Sequence, residues 1–322
     1  MSHLLGTRRG LDQCATTAGH FVVLALDHRQ NLRKELRPDD PTSVSYDEMV
    51  AFKLAVVRAL AGEASGFLLD PEVGVAPAIA SGALPGRAGL LVAIEATGYE
   101  GSSSARTSRV LPGWSVAAAK RIGASAAKLL LYYHPDSPTA ATQEALLASV
   151  AAECREHDLA LFLEPLSYGL DGRPLTGEDR RAVVVETARR LTEIGGDVLK
   201  AEFPYDASVT DEARWTEACA ELDAASARPW VILSGGVDDA TFEAQVRVAC
   251  QQGASGALAG RSVWADAAQL AEPARGESLR TASRERLRRL AAVIGESGHP
   301  WTGRWEAAVR PAMPGERWFD DP

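Results

Sequence analysis

The chain has 322 residues, 46% hydrophobic and 24% charged, which suits one large α/β barrel with extensions or two ordinary domains. Its formal net charge of -9 argues against nucleic acid or an anionic membrane surface as the main partner, since neither attracts an acidic protein. No stretch approaches the roughly 18 apolar residues of a membrane span, and the first apolar run, Phe21 to Leu26, is too short for a signal sequence.

Cys14, Cys154, Cys219 and Cys250 form no C-x-x-C pair and read as reduced structural thiols of a cytoplasmic protein. The six histidines show no close ligand spacing, so nothing announces a zinc site; no metal or other cofactor is expected.

Residues 1–20 are a polar, basic leader with no assignable element. The first strand pattern, Phe21 to Leu26, ends abruptly in Asp27-His28-Arg29-Gln30-Asn31, the mark of the C-terminal mouth of a buried parallel strand. A helix follows, opened by Ser45 with Glu48 three residues on as a capping box. Gly66 to Leu69 reads as the second strand, closed by Asp70, and Leu90 to Ile94 as the third, closed by Glu95. The Gly101-Ser102-Ser103-Ser104 run that follows reads as a mobile loop at the mouth.

From there a unit of helix, glycine and strand recurs. Gly123 leads into Ala126 to Tyr133, Gly195-Gly196 into Val198 to Phe203, and Gly253 into Gly256 to Ala259, with glycine where a helix end turns left-handed. Leu159 to Leu163 and Trp230 to Leu233 supply strands five and seven, with helices near 139–157, 178–194, 211–226, 239–252 and 277–294. Eight strands with crossovers of ordinary length predict a single (β/α)8 TIM barrel over residues 1–322. The C-terminal extension, residues 298–322 with Trp301, Trp305 and Trp318, is expected to pack on the barrel or on a subunit of a homo-oligomer.

Only five of the 34 basic residues are lysine, and one of them, Lys200, falls inside the strand Asp197-Val198-Leu199-Lys200-Ala201. An ammonium there costs several kcal/mol unless it is paired or gives up its proton. It is either one half of a buried ion pair or an amine able to attack a carbonyl and form a Schiff base. Strand alternation bears on the choice. If Lys200 points inward, so does Glu202, and the same rule turns Lys128, Glu164 and Asp27 into the barrel from strands four, five and one. Asp27, Lys128, Glu164 and Lys200 then converge on one cavity, a set harder to explain as packing than as a site. A second ammonium nearby favours the free amine, and Glu164 is placed to shuttle protons while Asp27 orients the lysine or binds a substrate hydroxyl.

A second constellation is Ser234-Gly235-Gly236 after strand seven and Gly260-Arg261 after strand eight, loops that in such barrels cradle a phosphate with backbone N–H groups. Arg261 adds a charge-assisted fork. Arg29 and Gln30, just past Asp27, are further candidates for substrate contact.

The combination of Leu24-Ala25-Leu26-Asp27-His28-Arg29, Ala127-Lys128-Leu129-Leu130-Leu131-Tyr132-Tyr133, Phe162-Leu163-Glu164-Pro165, Asp197-Val198-Leu199-Lys200, Leu233-Ser234-Gly235-Gly236 and Ala259-Gly260-Arg261 resembles the class I aldolase family that includes tagatose 1,6-bisphosphate and sulfofructose 1-phosphate aldolases. The resemblance implies a Schiff base on Lys200, acid/base work by Glu164, and supporting roles for Asp27 and Lys128. It implies a phosphorylated or sulfonated sugar substrate cleaved without a metal. The family's first motif usually reads Leu-Asp-Gln-Arg, and here His28 stands in the place of glutamine. A sugar-phosphate sensor, or an isomerase or epimerase using Glu164 as base, are the alternative readings of the same residues.

Overall fold

A computed structural model describes residues 4–310 together with Glu316. Eight short, almost wholly buried segments pair in parallel and close on themselves, and we number them β1 (Phe21–Leu26), β2 (Gly66–Leu69), β3 (Gly89–Ala93), β4 (Ala126–Tyr132), β5 (Ala160–Leu166), β6 (Val198–Ala201), β7 (Trp230–Leu233) and β8 (Gly256–Ala259). Closure is made by β1, which pairs with β2 on one side (Val23 opposite Gly66) and β8 on the other (Phe21 opposite Gly256). This is the TIM barrel that the sequence predicts.

The strands carry apolar residues on both faces because both faces are covered. Phe21, Val23, Leu68, Leu91, Phe162, Val198 and Val231 fill the barrel interior. Leu129, Leu131, Leu199, Ala201 and Phe203 point outward into the larger layer beneath the helices, as alternation from Lys200 requires. The Ser45–Glu48 capping box forms at the start of helix Tyr46–Leu60. At the helix-to-strand junctions Gly123, Gly196 and Gly253 have φ of 86°, 89° and 113°, the left-handed turn expected of them.

The N-terminal segment, unplaced from the sequence, contains helix Leu5–Cys14, whose Leu11 and Cys14 join the core at the N-terminal end of the barrel. Its few apolar residues find partners only in the folded molecule. Trp301 and Trp305, on helix Trp301–Val309, are fully buried in the same cluster, 5.5 Å apart and edge to face. Trp305 Nε1 donates to Asp197 Oδ1 at 2.9 Å, which ties this helix to the start of β6. Trp318, the third tryptophan of the predicted arm, lies outside the described residues.

One local expectation is corrected. The Gly101–Ser104 stretch is not a plain loop, because Glu100–Ser102 and Ala105–Thr107 pair antiparallel as a hairpin beyond the C-terminal end of β3. The helix expected near 277–294 is present within a continuous helical run, Ala274–Ser278, a π-helical turn at Leu279–Ser283 and Arg284–Ser297.

Candidate active site

At the C-terminal ends of the strands lies a cavity of about 610 Å³. Alternation sets what reaches it: Asp27 from β1, Lys128, Leu130 and Tyr132 from β4, Glu164 from β5, and Lys200 and Glu202 from β6. Asp27, Lys128, Glu164 and Lys200 are therefore brought together as the sequence suggests.

The two lysines share one carboxylate. Lys200 Nζ donates to Glu164 Oε1 at 2.7 Å, and Lys128 Nζ lies 2.7 Å from Glu164 Oε2. That second approach is an ion pair, and among the described residues Oε2 meets no donor in hydrogen-bond alignment. Lys128 gives its aligned bonds to Asp27 Oδ2 at 2.8 Å and Glu95 Oε1 at 2.7 Å. Burial alone would lower the Lys128 pKa, but Asp27, Glu164 and Glu95 together hold it well above the lysine range and keep it charged. Burial would likewise raise Asp27, yet Lys128, Lys200 and His28 draw its carboxyl far below the usual range.

Glu95 is a member of this cluster that the sequence reading treated only as the end of a strand. It accepts from Lys128 through Oε1 and from the Leu130 N–H through Oε2 at 3.1 Å. The signal that finds it is the same alternation: Leu91 lies inside the barrel, and two steps of two lead to Glu95.

His28 lines the cavity between the two constellations. Its ring meets Trp264 edge to face at 5.3 Å, and its buried Nδ1 has no hydrogen-bond partner among the described residues. Burial pushes the imidazole down to about 4; Asp27 opposes this, while Arg261, Lys200 and Lys53 add to it. The ring is neutral at neutral pH.

Ser234, Gly235, Gly260 and Arg261 line the cavity at the ends of β7 and β8. Gly236 is not part of the lining but stands behind it. Its φ is +87°, and a Cβ there would lie 2.9 Å from Arg261 Nη2, so only glycine lets the guanidinium lie against this turn. Among the described residues the one carboxylate paired with Arg261 is Glu35, at 3.5 Å. It also begins helix Arg261–Ala268, whose N-terminal N–H groups have no side-chain cap among the described residues.

The other two candidates divide. Gln30 reaches the cavity from the first turn of helix Gln30–Leu36. Arg29 lines it too, but its guanidinium is engaged by Glu72 at 2.5 Å and by the Glu95 carbonyl at 3.0 Å, which makes it a brace for Glu95. Glu202 is similarly occupied, accepting from Ser167 N at 2.6 Å, Ser167 Oγ at 2.5 Å and Arg180 at 3.0 Å. Among the described residues no group of three or more His, Cys, Asp or Glu is arranged to hold a metal ion.

A lysine amine in contact with a carboxylate at the mouth of a (β/α)8 barrel is the arrangement of lysine-centred carbonyl chemistry. Residues 21–266 match the model of the DeoC/LacD family of aldolases, and the chain belongs to that family. A tagatose 1,6-diphosphate aldolase of Lactococcus lactis is 31% identical over 92% of this chain and 98% of its own length. Another, from Listeria monocytogenes, is 32% identical over 91% and 92%. Among solved structures, an archaeal fructose 1,6-bisphosphate aldolase superposes with a TM-score of 0.62 at 21% identity, over 90% of this chain and 98% of that one. The fructose-bisphosphate aldolase of Plasmodium falciparum gives a TM-score of 0.71 at 14% identity, over 92% and 96%, a likeness of fold.

Proposed function

We propose that this class I aldolase cleaves a ketose phosphate through an imine on Lys200, giving dihydroxyacetone phosphate and an aldehyde. The observation that carries the reading is the Lys200–Glu164–Lys128 chain of contacts, which gives a nucleophilic amine a proton acceptor at 2.7 Å and a second, charged amine beyond it. The relatives act, by name, on tagatose 1,6-diphosphate, which makes a ketose 1,6-bisphosphate the leading substrate and sulfofructose 1-phosphate the second.

In this reading Glu164 takes a proton from Lys200, and the free amine attacks the C2 ketone to give a carbinolamine. Glu164 returns the proton to the departing hydroxyl, water leaves, and an iminium remains. The iminium draws the electrons of the C3–C4 bond as a base removes the C4 hydroxyl proton, releasing the aldehyde and leaving an enamine. Glu164 Oε2, which faces the charged Lys128 at 2.7 Å, is the acceptor assigned to that proton. Protonation at C3 and addition of water return Lys200 and dihydroxyacetone phosphate. Lys128, fixed by Asp27 and Glu95, stabilises the oxygen charge that develops near C2 to C4. The phosphate on C1 sits at Ser234, Gly235, Gly260 and Arg261. The iminium is itself the electron sink, so no metal enters the scheme.

Replacing Lys200 by Met tests the reading. Cleavage of tagatose 1,6-bisphosphate should fall by several orders of magnitude while the circular-dichroism melt stays cooperative. Undiminished cleavage by a folded Lys200→Met protein would contradict the imine. Conversion of one ketose or aldose phosphate into another, with no carbon–carbon cleavage, would point to an isomerase using Glu164.

A further inference from the structure

We propose, resting on the aldolase reading above, that Glu202 is a positioning residue: with Ser167 and Arg180 it clamps the mouth ends of β5 and β6 and so fixes the distance over which Glu164 takes the proton from Lys200.

The need for a clamp arises in β5. Leu161 turns both of its backbone groups to β6, its N–H donating to Asp197 Oδ2 at 2.9 Å and its carbonyl accepting from the Asp197 N–H at 2.8 Å. Backbone groups alternate in direction along a strand, so residues 163, 165 and 167 face β6 as well. Residue 165 is proline, which has no N–H to give. The pairing of the two strands runs through Phe162 opposite Val198 and Leu163 opposite Leu199, and ends there. Glu164 and Lys200 are the next residue on each strand, so the pair that carries the chemistry stands where the β5–β6 ladder gives out.

Glu202 supplies what the ladder lacks. Its Oε2 accepts from the Ser167 N–H at 2.6 Å and the Ser167 hydroxyl at 2.5 Å, so the next β5 donor is bonded to a side chain just past the end of β6. Its Oε1 accepts from Arg180 Nη2 at 3.0 Å. Arg180, on helix Gly177–Ile194, also donates from Nε to the Phe203 carbonyl at 3.2 Å and thereby grips the backbone beside Glu202. Hydrogen bonds to an ionised carboxylate are stronger than neutral ones. Asp197 makes the matching staple at the start of β6 through Leu161, which leaves the Lys200–Glu164 contact between two carboxylate staples.

Glu202 lines the cavity two residues from Lys200, yet both of its oxygens are bonded to the protein, unlike a group set to exchange protons with substrate. A shift of about 1 Å in a catalytic contact costs on the order of 100-fold in rate, so slack between β5 and β6 passes directly to the Lys200–Glu164 proton transfer.

The test compares wild-type, Glu202→Ala, Glu202→Gln and Arg180→Gln proteins in cleavage of a ketose 1,6-bisphosphate and in the rate at which borohydride traps dihydroxyacetone phosphate as a lysine adduct. Glu202→Ala should lose roughly 10- to 100-fold in kcat, with the trapping rate falling in step and KM staying within about threefold. Glu202→Gln, which keeps an acceptor for Ser167, should recover most of the loss, and Arg180→Gln should be slowed less than Glu202→Ala. A kcat within about threefold of wild type in folded Glu202→Ala overturns the assignment. Equal losses in Glu202→Ala and Glu202→Gln overturn it too, since they would make Glu202 a proton carrier, and a KM rising in step with the loss would place Glu202 against the substrate instead. Should Glu202→Ala not fold, Arg180→Gln decides, and unchanged kcat and trapping rate in that variant overturn the clamp. Trapping on the wild-type enzyme separates the two levels. No lysine adduct removes the aldolase reading and the clamp with it, whereas an adduct formed by Glu202→Ala at the wild-type rate removes the clamp alone.

Discussion

Lys200 Nζ donates to Glu164 Oε1 at 2.7 Å, so nucleophile and proton acceptor touch with no atom between them. Glu164→Gln keeps the shape of this contact and removes the proton acceptor. The variant should fold normally and lose about 10²- to 10⁴-fold in kcat, the range of general acid–base catalysis. Kinetics with the bisphosphate substrate check this, and a kcat within threefold or so of wild type would assign Glu164 to ion pairing alone.

Among the described residues Arg261 is restrained by little besides the Gly236 turn and a 3.5 Å contact with Glu35, which leaves its charge to the cavity. A charge-assisted bond to an anion is worth about 1.5–3 kcal/mol. Arg261→Ala should therefore lower kcat/KM roughly 10- to 150-fold on a phosphorylated ketose. The loss should be much smaller on the ketose without the C1 anion. Equal losses on both would place Arg261 in the support of the mouth.

The buried His28 ring gives the fold an acid-sensitive element. Its pKa in the folded chain is about 4 against 6.5 for the free side chain. Between these values the unfolded chain binds a proton that the folded chain refuses, so stability falls as pH drops through that window. Asp27, depressed in the fold, contributes stability above the ordinary carboxylate range and loses it on further acidification. Because Asp27 is present in both proteins, comparison with His28→Gln isolates the histidine. Wild type should lose on the order of 3 kcal/mol more than the variant between about pH 7 and pH 4 in urea unfolding. Parallel pH profiles would contradict the buried neutral ring.

The period-two rule explains why so much of the site could be read from the chain. Once Lys200 is turned inward, the same rule orients Lys128, Glu164 and Asp27, and the cavity lining agrees with it. Glu95 obeys the rule as well, and was hidden only because an acidic residue after an apolar run looks like the end of a strand. Arg29 was legible as a cavity residue but not as a brace, since Glu72 is distant in sequence and meets it only through the barrel. The hairpin had no signature, because a glycine-serine run reads as a loop and its pairing depends on backbone bonds across the turn. Helix Leu5–Cys14 was opaque for a related reason: its buried side chains are few and pack on the barrel floor rather than on each other.

The central claim is that Lys200 becomes covalently bonded to the substrate ketone, and borohydride reduction during turnover tests it most directly. With dihydroxyacetone phosphate present, the protein should gain the mass of one reduced adduct, and peptide mapping should place it on Lys200. An unchanged protein mass, or an adduct on Lys128 with Lys200 unmodified, would contradict the account.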